Sequence, residues 1–535
     1  MGFLLFAHIY HVGLTALIEM AELAHEPGLL VHGKRKLTDS NGYVREELPT
    51  DGGYHSIMRL LFPFACALLS LTFSAVLADD LPELGDVSRT TITAQQERQL
   101  GEQIMRQIRA APQYLDDPEV TDYVNTLGYR LVGNAPNVEQ QFEFFVIEDK
   151  TVNAFALPGG FIGVHTGLIV TAQSESELAA VLSHEIGHVS QRHIARLFTQ
   201  QKQAGMASLA ALALALLAAR SSPDLAQAAV AATQYASYQT AVNFTRDNER
   251  EADRVGVQIL EKSGYDPHAM PTFLERLQRS YRLYETNAPS YARTHPLTYE
   301  RIADVENRVQ NVPYRQVPDS LEFLLVRVRL QARDMSPRDG VAYFDDILTE
   351  KKVVNEASAR YGLVMALLRN KELARAAREA NTLQAQAPDD PMVTALVGRV
   401  KTAAGDAKGA FDLYGNAIKR FPRNRAITYD YARLMLDNKR TKDALQLVSS
   451  ALDYTHSDHR LYELQAECYA RMGQKLQQHR SLAEAYTIIG SLPAAIDQLQ
   501  IGLKAGDGDF YQLSSAEARL RELRAADAEQ RKEQR

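Results

Sequence analysis

SESELAAVLSHEIGHVSQRH, residues 174–193, carries two histidines four apart, His184 and His188, with Glu185 directly after the first. Ser174 followed by Glu177 has the spacing of a capping box at a helix start, and Leu178, Val181, Leu182 and Ile186 continue at helical spacing. The stretch predicts a helix with the histidines about three turns in. On a helix, positions i and i+4 share a face one turn apart, so both imidazoles can converge on one ion. Glu185 is rotated by about 100 degrees, which keeps it off the ion but beside a water the ion would activate. With 14 histidines in 535 residues, roughly 0.02 such matches are expected by chance over the whole chain, so an ordinary helix with two histidines is the weaker reading.

Catalytic zinc takes three protein ligands and leaves one position open. His193 lies nine residues after His184, about half a turn round a continuing helix. The three-histidine zinc pattern would want Gly at 191 and His at 194, where the chain has Gln191 and Ile194. His193 therefore reads as structural or exposed. The better donor is Glu249, in NEREADR (248–254) on a later helix. Asp253, four residues on and on the same face, is placed to accept a hydrogen bond from the free nitrogen of a ligand histidine. Taken alone, this acidic pair is explained as well by a solvated helix face; Glu251 reads as solvated only.

The rest of the chain supplies the setting. Charges are nearly balanced, 59 basic against 66 acidic, with no long Lys/Arg stretch, so a nucleic-acid footprint is missing. From Met58 the sequence MRLLFPFACALLSLTFSAVLADD has one Arg, an apolar run from Leu60 to Ala78 and acidic residues after it, the pattern of a signal peptide (58–78) cut after Ala78. The rival is an uncleaved anchor. Residues 1–57 precede this leader, and a signal peptide is N-terminal, so they read as a gene-model extension with translation starting at Met58. Without Cys66, Cys468 is alone.

Amphipathic helices are predicted between Ser88 and Val132, with Asp117 and Pro118 opening the second. FEFFVIED (142–149) and AFALPGGFIGVHTGLI (154–169) read as a small sheet with a hairpin. Met206 to Ala219 is uncharged and Ala/Leu-rich but short for a span, so it reads as a buried or capping helical hairpin, with membrane-surface contact as the rival. The second half repeats: Ala342, Ala376, Ala410 and Ala444 recur every 34 residues, and Pro388 and Pro422 share the period. That is the tetratricopeptide period, a helix-turn-helix unit whose stacks offer a concave protein-binding surface. The expected fold is mainly α (α+β): a metallopeptidase domain with a small β-sheet over 79–315, an all-α tetratricopeptide solenoid over 316–510, and a charged tail over 511–535 that is a solvated helix or disordered.

NAFALPGGFIGVHTGLI, LAAVLSHEIGHVSQRH, NEREADRVGVQIL and THPLTYERI together resemble the gluzincin family of the CAAX prenyl proteases and the HtpX heat-shock protease. With leader and repeats, the chain resembles the periplasmic members of that family in Gram-negative bacteria. The resemblance implies one zinc ion per chain held by His184, His188 and Glu249, with Glu185 activating water. It implies that His295, in Thr294-His295-Pro296, and Arg301 reach the active site, His295 either steadying the oxyanion or occupying the open zinc position as an inhibitory ligand. A loop histidine, and a surface or structural ion pair, are the plainer readings of these two. Asn153, Ala154 and Phe155 are similar to the family's edge strand, which pairs with substrate backbone. The implied activity is periplasmic endoproteolysis of unfolded or misassembled outer-membrane proteins, with the beta-barrel assembly machinery as partner of the repeats, no nucleic acid and at most peripheral membrane contact. The alternative is an assembly chaperone or adaptor working through the repeats with the protease held inactive. An integral membrane protease is disfavoured, because apart from the leader no stretch reaches about 18 apolar residues.

Overall fold

Thr93 and Asp117 fix the first two described helices of the computed structural model, which describes residues 92–136, 138, 140–200, 246–282, 291, 295–351 and 355–533, plus Leu37–Thr38 (β1) and Val44–Arg45 (β2), with backbone only for 37–38, 44–45, 197–200, 281–282 and 533. The leader, residues 79–91 and the Ala-rich run 206–219 lie outside the described residues, as do residues 1–57 apart from β1 and β2. These two strands pair antiparallel within a unit spanning Met1–Gly85. Asp86–Arg535 forms the other unit. Thr93 makes a reciprocal capping box with Gln96 at α1 (Ala94–Ala110), and Asp117 accepts from the N–H groups of Glu119 and Val120 at α2 (Pro118–Val132).

The sheet is small and mixed. β3 (Glu143–Ile147) pairs parallel with β5 (Phe161–His165), and β4 (Ala154–Leu157) pairs antiparallel with β5, giving the order β3-β5-β4. Gly159 and Gly160, with φ of 77° and 84°, turn the hairpin in a region that disfavours side chains. HTGLI does not extend β5: the chain passes at Thr166 into a short helix, α3 (Thr166–Thr171). α4 (Glu175–Ser190) follows, with Ser174 capping the N–H of Glu177. The Glu177 carboxylate accepts from the Gln173 N–H at 2.7 Å and also pairs with Arg276, so only the Ser174 half of the expected capping box forms. Next come α5 (His193–Gln200), α6 (Arg246–Lys262), α7 (Ala269–Arg282) and α8 (Tyr299–Val309).

Twelve more described helices run in pairs. Their first members are α9 (Leu321–Asp334), α11 (Glu356–Arg369), α13 (Pro391–Ala403), α15 (Arg425–Asp437), α17 (His459–Arg471) and α19 (Leu492–Leu503). Their partners are α10 (Pro337–Thr349), α12 (Leu373–Gln386), α14 (Ala407–Arg420), α16 (Thr441–Leu452), α18 (Lys475–Ile488) and α20 (Phe510–Glu533). Ala376, Ala410 and Ala444 are fully buried where helices cross. Ala342 is exposed instead; Gly340 is the buried small residue there, since a Cβ on it would stand 3.2 Å from Ala366 Cβ. α20 is neither disordered nor solvated all round, because Ala516, Leu520 and Leu523 bury against the last pair.

The inner side of this stack meets the peptidase half. Arg329 on α9 reaches Asp117 and Glu119 at 2.9 and 2.7 Å, and Arg399 on α13 reaches Glu119 at 2.9 Å. Arg425 on α15 and Arg460 on α17 reach Asp122 and Asp116, each at 2.5 Å. Four of the six first helices thus grip the acidic start of α2, so part of the repeat surface is used within the chain. Glu175, the first residue of α4, accepts from the N–H and hydroxyl of Ser320 at 3.0 and 2.8 Å, tying the histidine helix to the first repeat.

Candidate metal centre

Two glycines let α4 and α6 cross closely. A Cβ on Gly187 would stand 2.9 Å from the Ala252 carbonyl oxygen, and one on Gly256 would stand 3.1 Å from the His184 nitrogen. Neither residue drew attention in the sequence, where an isolated helical Gly signals only a propensity cost. Their contact brings Glu249 against the histidine face.

There His184 Nε2 and His188 Nε2 lie 2.9 Å apart, and Glu249 offers Oε2 at 3.5 Å from the first and Oε1 at 3.4 Å from the second. His295 Nδ1 lies 3.1 Å from Glu249 Oε1 and 3.4 Å from His184 Nε2. One donor atom from each of the four falls within 4.8 Å of the others, and all four residues are buried. Imidazole lone pairs this close repel unless a proton or cation lies between them, and three ring nitrogens with a carboxylate oxygen match the donor set zinc prefers. These residues fit a zinc ion. Both Glu185 carboxylate oxygens are buried without a hydrogen bond, Oε1 standing 3.4 Å from His295 Nε2. Such a carboxylate is costly to keep unless it has a proton to take.

Charge around the cluster is arranged by Asp253 and Arg301. Asp253 Oδ1 accepts from His184 Nδ1 at 2.9 Å, while Arg301 donates to both Asp253 oxygens at 2.5 and 2.8 Å. Arg301 also pairs with Glu249 Oε2 at 2.5 Å. Burial opposes charge on His184, yet its hydrogen bonds to Asp253 and Glu249 outweigh burial and raise its pKa to about 9. Burial acts unopposed enough on His188 to hold it well below the ordinary imidazole range. For Glu249 and Asp253 burial alone would raise the pKa, but the Arg301 charge prevails, keeping Glu249 well below the usual carboxylate range and Asp253 at about 2. Arg301 is buried, so of the two plainer readings its ion pairs are structural and not at the surface.

His193 is structural, one of the two readings the sequence leaves open, but helical phase is not what places it. α4 ends at Ser190, Arg192 takes φ 52°, and α5 begins at His193, so helical phase does not carry through. His193 is buried, its Nδ1 2.8 Å from His188 Nδ1, and Glu251, read as solvated, meets His193 Nε2 at 3.2 Å and Arg196 at 2.8 Å. Tyr291, which the sequence did not single out, stacks on His295 with ring centroids 4.6 Å apart. At the sheet edge, Ala154 and Phe155 belong to β4, while Asn153 precedes it and its carbonyl accepts from the His165 N–H at 3.0 Å.

Residues 118–309 match the family model "Peptidase family M48", and 401–468 match "Tetratricopeptide repeat". A putative beta-barrel assembly-enhancing protease of Vibrio cholerae is 34% identical over 404 residues, covering 74% of this chain and 82% of that protein. The beta-barrel assembly-enhancing protease of Escherichia coli is 32% identical over 451 residues, covering 84% and 92%. A mitochondrial metalloendopeptidase of Schizosaccharomyces pombe is 31% identical over 186 residues, covering 35% of this chain and 52% of that protein.

Proposed function

This chain belongs to the family of the beta-barrel assembly-enhancing proteases and is a metalloprotease with tetratricopeptide repeats, and on that premise we propose that it is a periplasmic zinc endopeptidase that degrades misassembled outer-membrane proteins and assists their assembly. The observation that carries the reading is the convergence of His184, His188 and Glu249 with Glu185 buried unbonded beside them. Periplasmic residence is supported by the leader pattern at 58–78 and by the relatives' names. Among the described residues no helix is long and apolar enough to cross a membrane.

His184, His188 and Glu249 would hold a zinc ion, which when bound would supply Lewis acidity and bring the pKa of a water there down to about 7. Glu185 takes the proton of the attacking water and hands it to the leaving amine. Asp253 fixes the His184 tautomer, since it accepts from the nitrogen opposite Nε2. Arg301 orients and neutralises Glu249 and Asp253, a part its short contacts to both carboxylates support better than contact with the reacting carbonyl. An extended substrate adds to the β4 edge at Asn153, Ala154 and Phe155. The repeats recruit partners of the barrel assembly pathway. Metal analysis should return one zinc per chain. Glu249→Ala should weaken zinc binding by more than the ten- to hundredfold that an outer partner of a ligand is worth and stop cleavage; wild-type zinc affinity in that variant overturns the ligand set.

His295 bridges the cluster and the base, its Nδ1 near Glu249 and its Nε2 near Glu185. That favours its role as an inhibitory fourth ligand, and with it the second reading of a chaperone or adaptor whose protease rests shut. For a site open one-tenth of the time, His295→Ala should raise cleavage of an unfolded outer-membrane protein roughly tenfold. A fall in cleavage instead assigns His295 to the oxyanion.

A further inference from the structure

We propose that His193 is a positioning residue for the metal centre, holding ligand His188 by the nitrogen that faces away from the cluster, with Glu251 and Arg196 holding His193 in turn. This rests on the reading of His184, His188 and Glu249 as metal ligands. His188 turns Nε2 toward His184 and Glu249, so its Nδ1 carries the hydrogen and donates to His193 Nδ1 at 2.8 Å. That acceptor role leaves the His193 hydrogen on Nε2, which faces Glu251 Oε2 at 3.2 Å. The same oxygen accepts from Arg196 at 2.8 Å. The row runs in one direction, from His188 Nδ1 to His193 Nδ1 and from His193 Nε2 to Glu251 Oε2, which fixes both tautomers.

The backbone explains how His193 gets there. The left-handed turn at Arg192 ends α4 and swings α5 beneath it, and the Arg192 guanidinium is pinned by the Ile92 carbonyl at 2.8 Å and Glu97 at 2.9 Å. α6 then serves both histidines: Asp253 holds His184 directly, and Glu251 holds His188 through His193. The two ligand histidines are therefore oriented by different devices, a carboxylate for one and a second imidazole for the other.

The test is zinc affinity of the purified chain, read by competition with a chromogenic chelator, with circular dichroism of the metal-free protein as the folding control. His193→Ala should raise the zinc Kd ten- to hundredfold. His193→Asn, whose Oδ1 stands where Nδ1 stood, should recover most of that loss, whereas His193→Gln, whose amide lies at the Nε2 position, should not. Glu251→Gln should weaken binding less than His193→Ala. Should the alanine variant fold poorly, the contrast between Asn and Gln decides, because both side chains fill the space. Equal affinities for Asn and Gln, or wild-type affinity in His193→Ala, overturn the relay while leaving the metal centre standing. Absence of zinc uptake by the wild type overturns the metal centre itself, and the relay with it.

Discussion

Glu185→Gln should bind zinc as the wild type does and cleave an unfolded outer-membrane protein about 10²- to 10⁴-fold more slowly, the span a positioned general base contributes. The glutamine amide keeps the volume of the buried carboxylate, so the fold and the ligand set of His184, His188 and Glu249 are preserved. What it loses is a proton acceptor. Both Glu185 oxygens are buried without a hydrogen bond, His295 Nε2 standing 3.4 Å from Oε1, so the substitution removes basicity with little else. Metal content and single-turnover cleavage, measured on one preparation, separate the outcomes. Cleavage at the wild-type rate sinks the mechanism, and loss of zinc with retained fold would make Glu185 a ligand in place of a base.

How far the site was legible follows from which forces act locally. His184, Glu185 and His188 sit on one continuous helix, where spacing alone dictates which side chains share a face. Glu249 and Asp253 obey the same rule within α6, and the structure puts both against the histidines. That His193 is structural is legible in the sequence, but its place is not, because a helix end at Ser190 and a positive φ at Arg192 reverse what periodicity predicts, and neither Gln191 nor Arg192 is a residue that announces a break. Gly187 and Gly256 were silent for another reason: their meaning lies in the approach of a second helix, which no single-segment pattern contains. The repeats were legible through Ala376, Ala410 and Ala444, yet failed at Ala342, where the buried place is taken by Gly340. That α2 would lie in the grip of the solenoid was invisible, since Asp116, Asp117, Glu119 and Asp122 look like ordinary helix-start acids favoured by the helix dipole.

Glu119→Ala should destabilise the chain by about 3 kcal/mol, the lower end of the range for removing one partner of a buried ion pair. The Glu119 carboxylate is fully buried and receives Arg329 at 2.7 Å and Arg399 at 2.9 Å, two guanidiniums from different repeats held by one acid. Without it they face each other with no charge between them. The penalty stays below the upper range because each keeps another carboxylate, Arg329 with Asp117 and Arg399 with Asp430. Burial opposes the charge on both arginines, but these acids prevail and hold both well above the ordinary guanidinium range, which is the same attraction seen from the other side. Guanidinium unfolding of wild type, Glu119→Ala and an exposed control, Asp389→Ala, tests the claim. Asp389 pairs with Arg420 at 2.5 Å but is 81% exposed, so its loss should cost less than about 1 kcal/mol. If Glu119→Ala unfolds at the same denaturant concentration as the control, the arginine grip does not hold the solenoid to α2. A drop of the expected size makes that grip a stabilising polar tie between repeats and peptidase, and any partner drawn to this face would then meet a surface whose charges are already engaged.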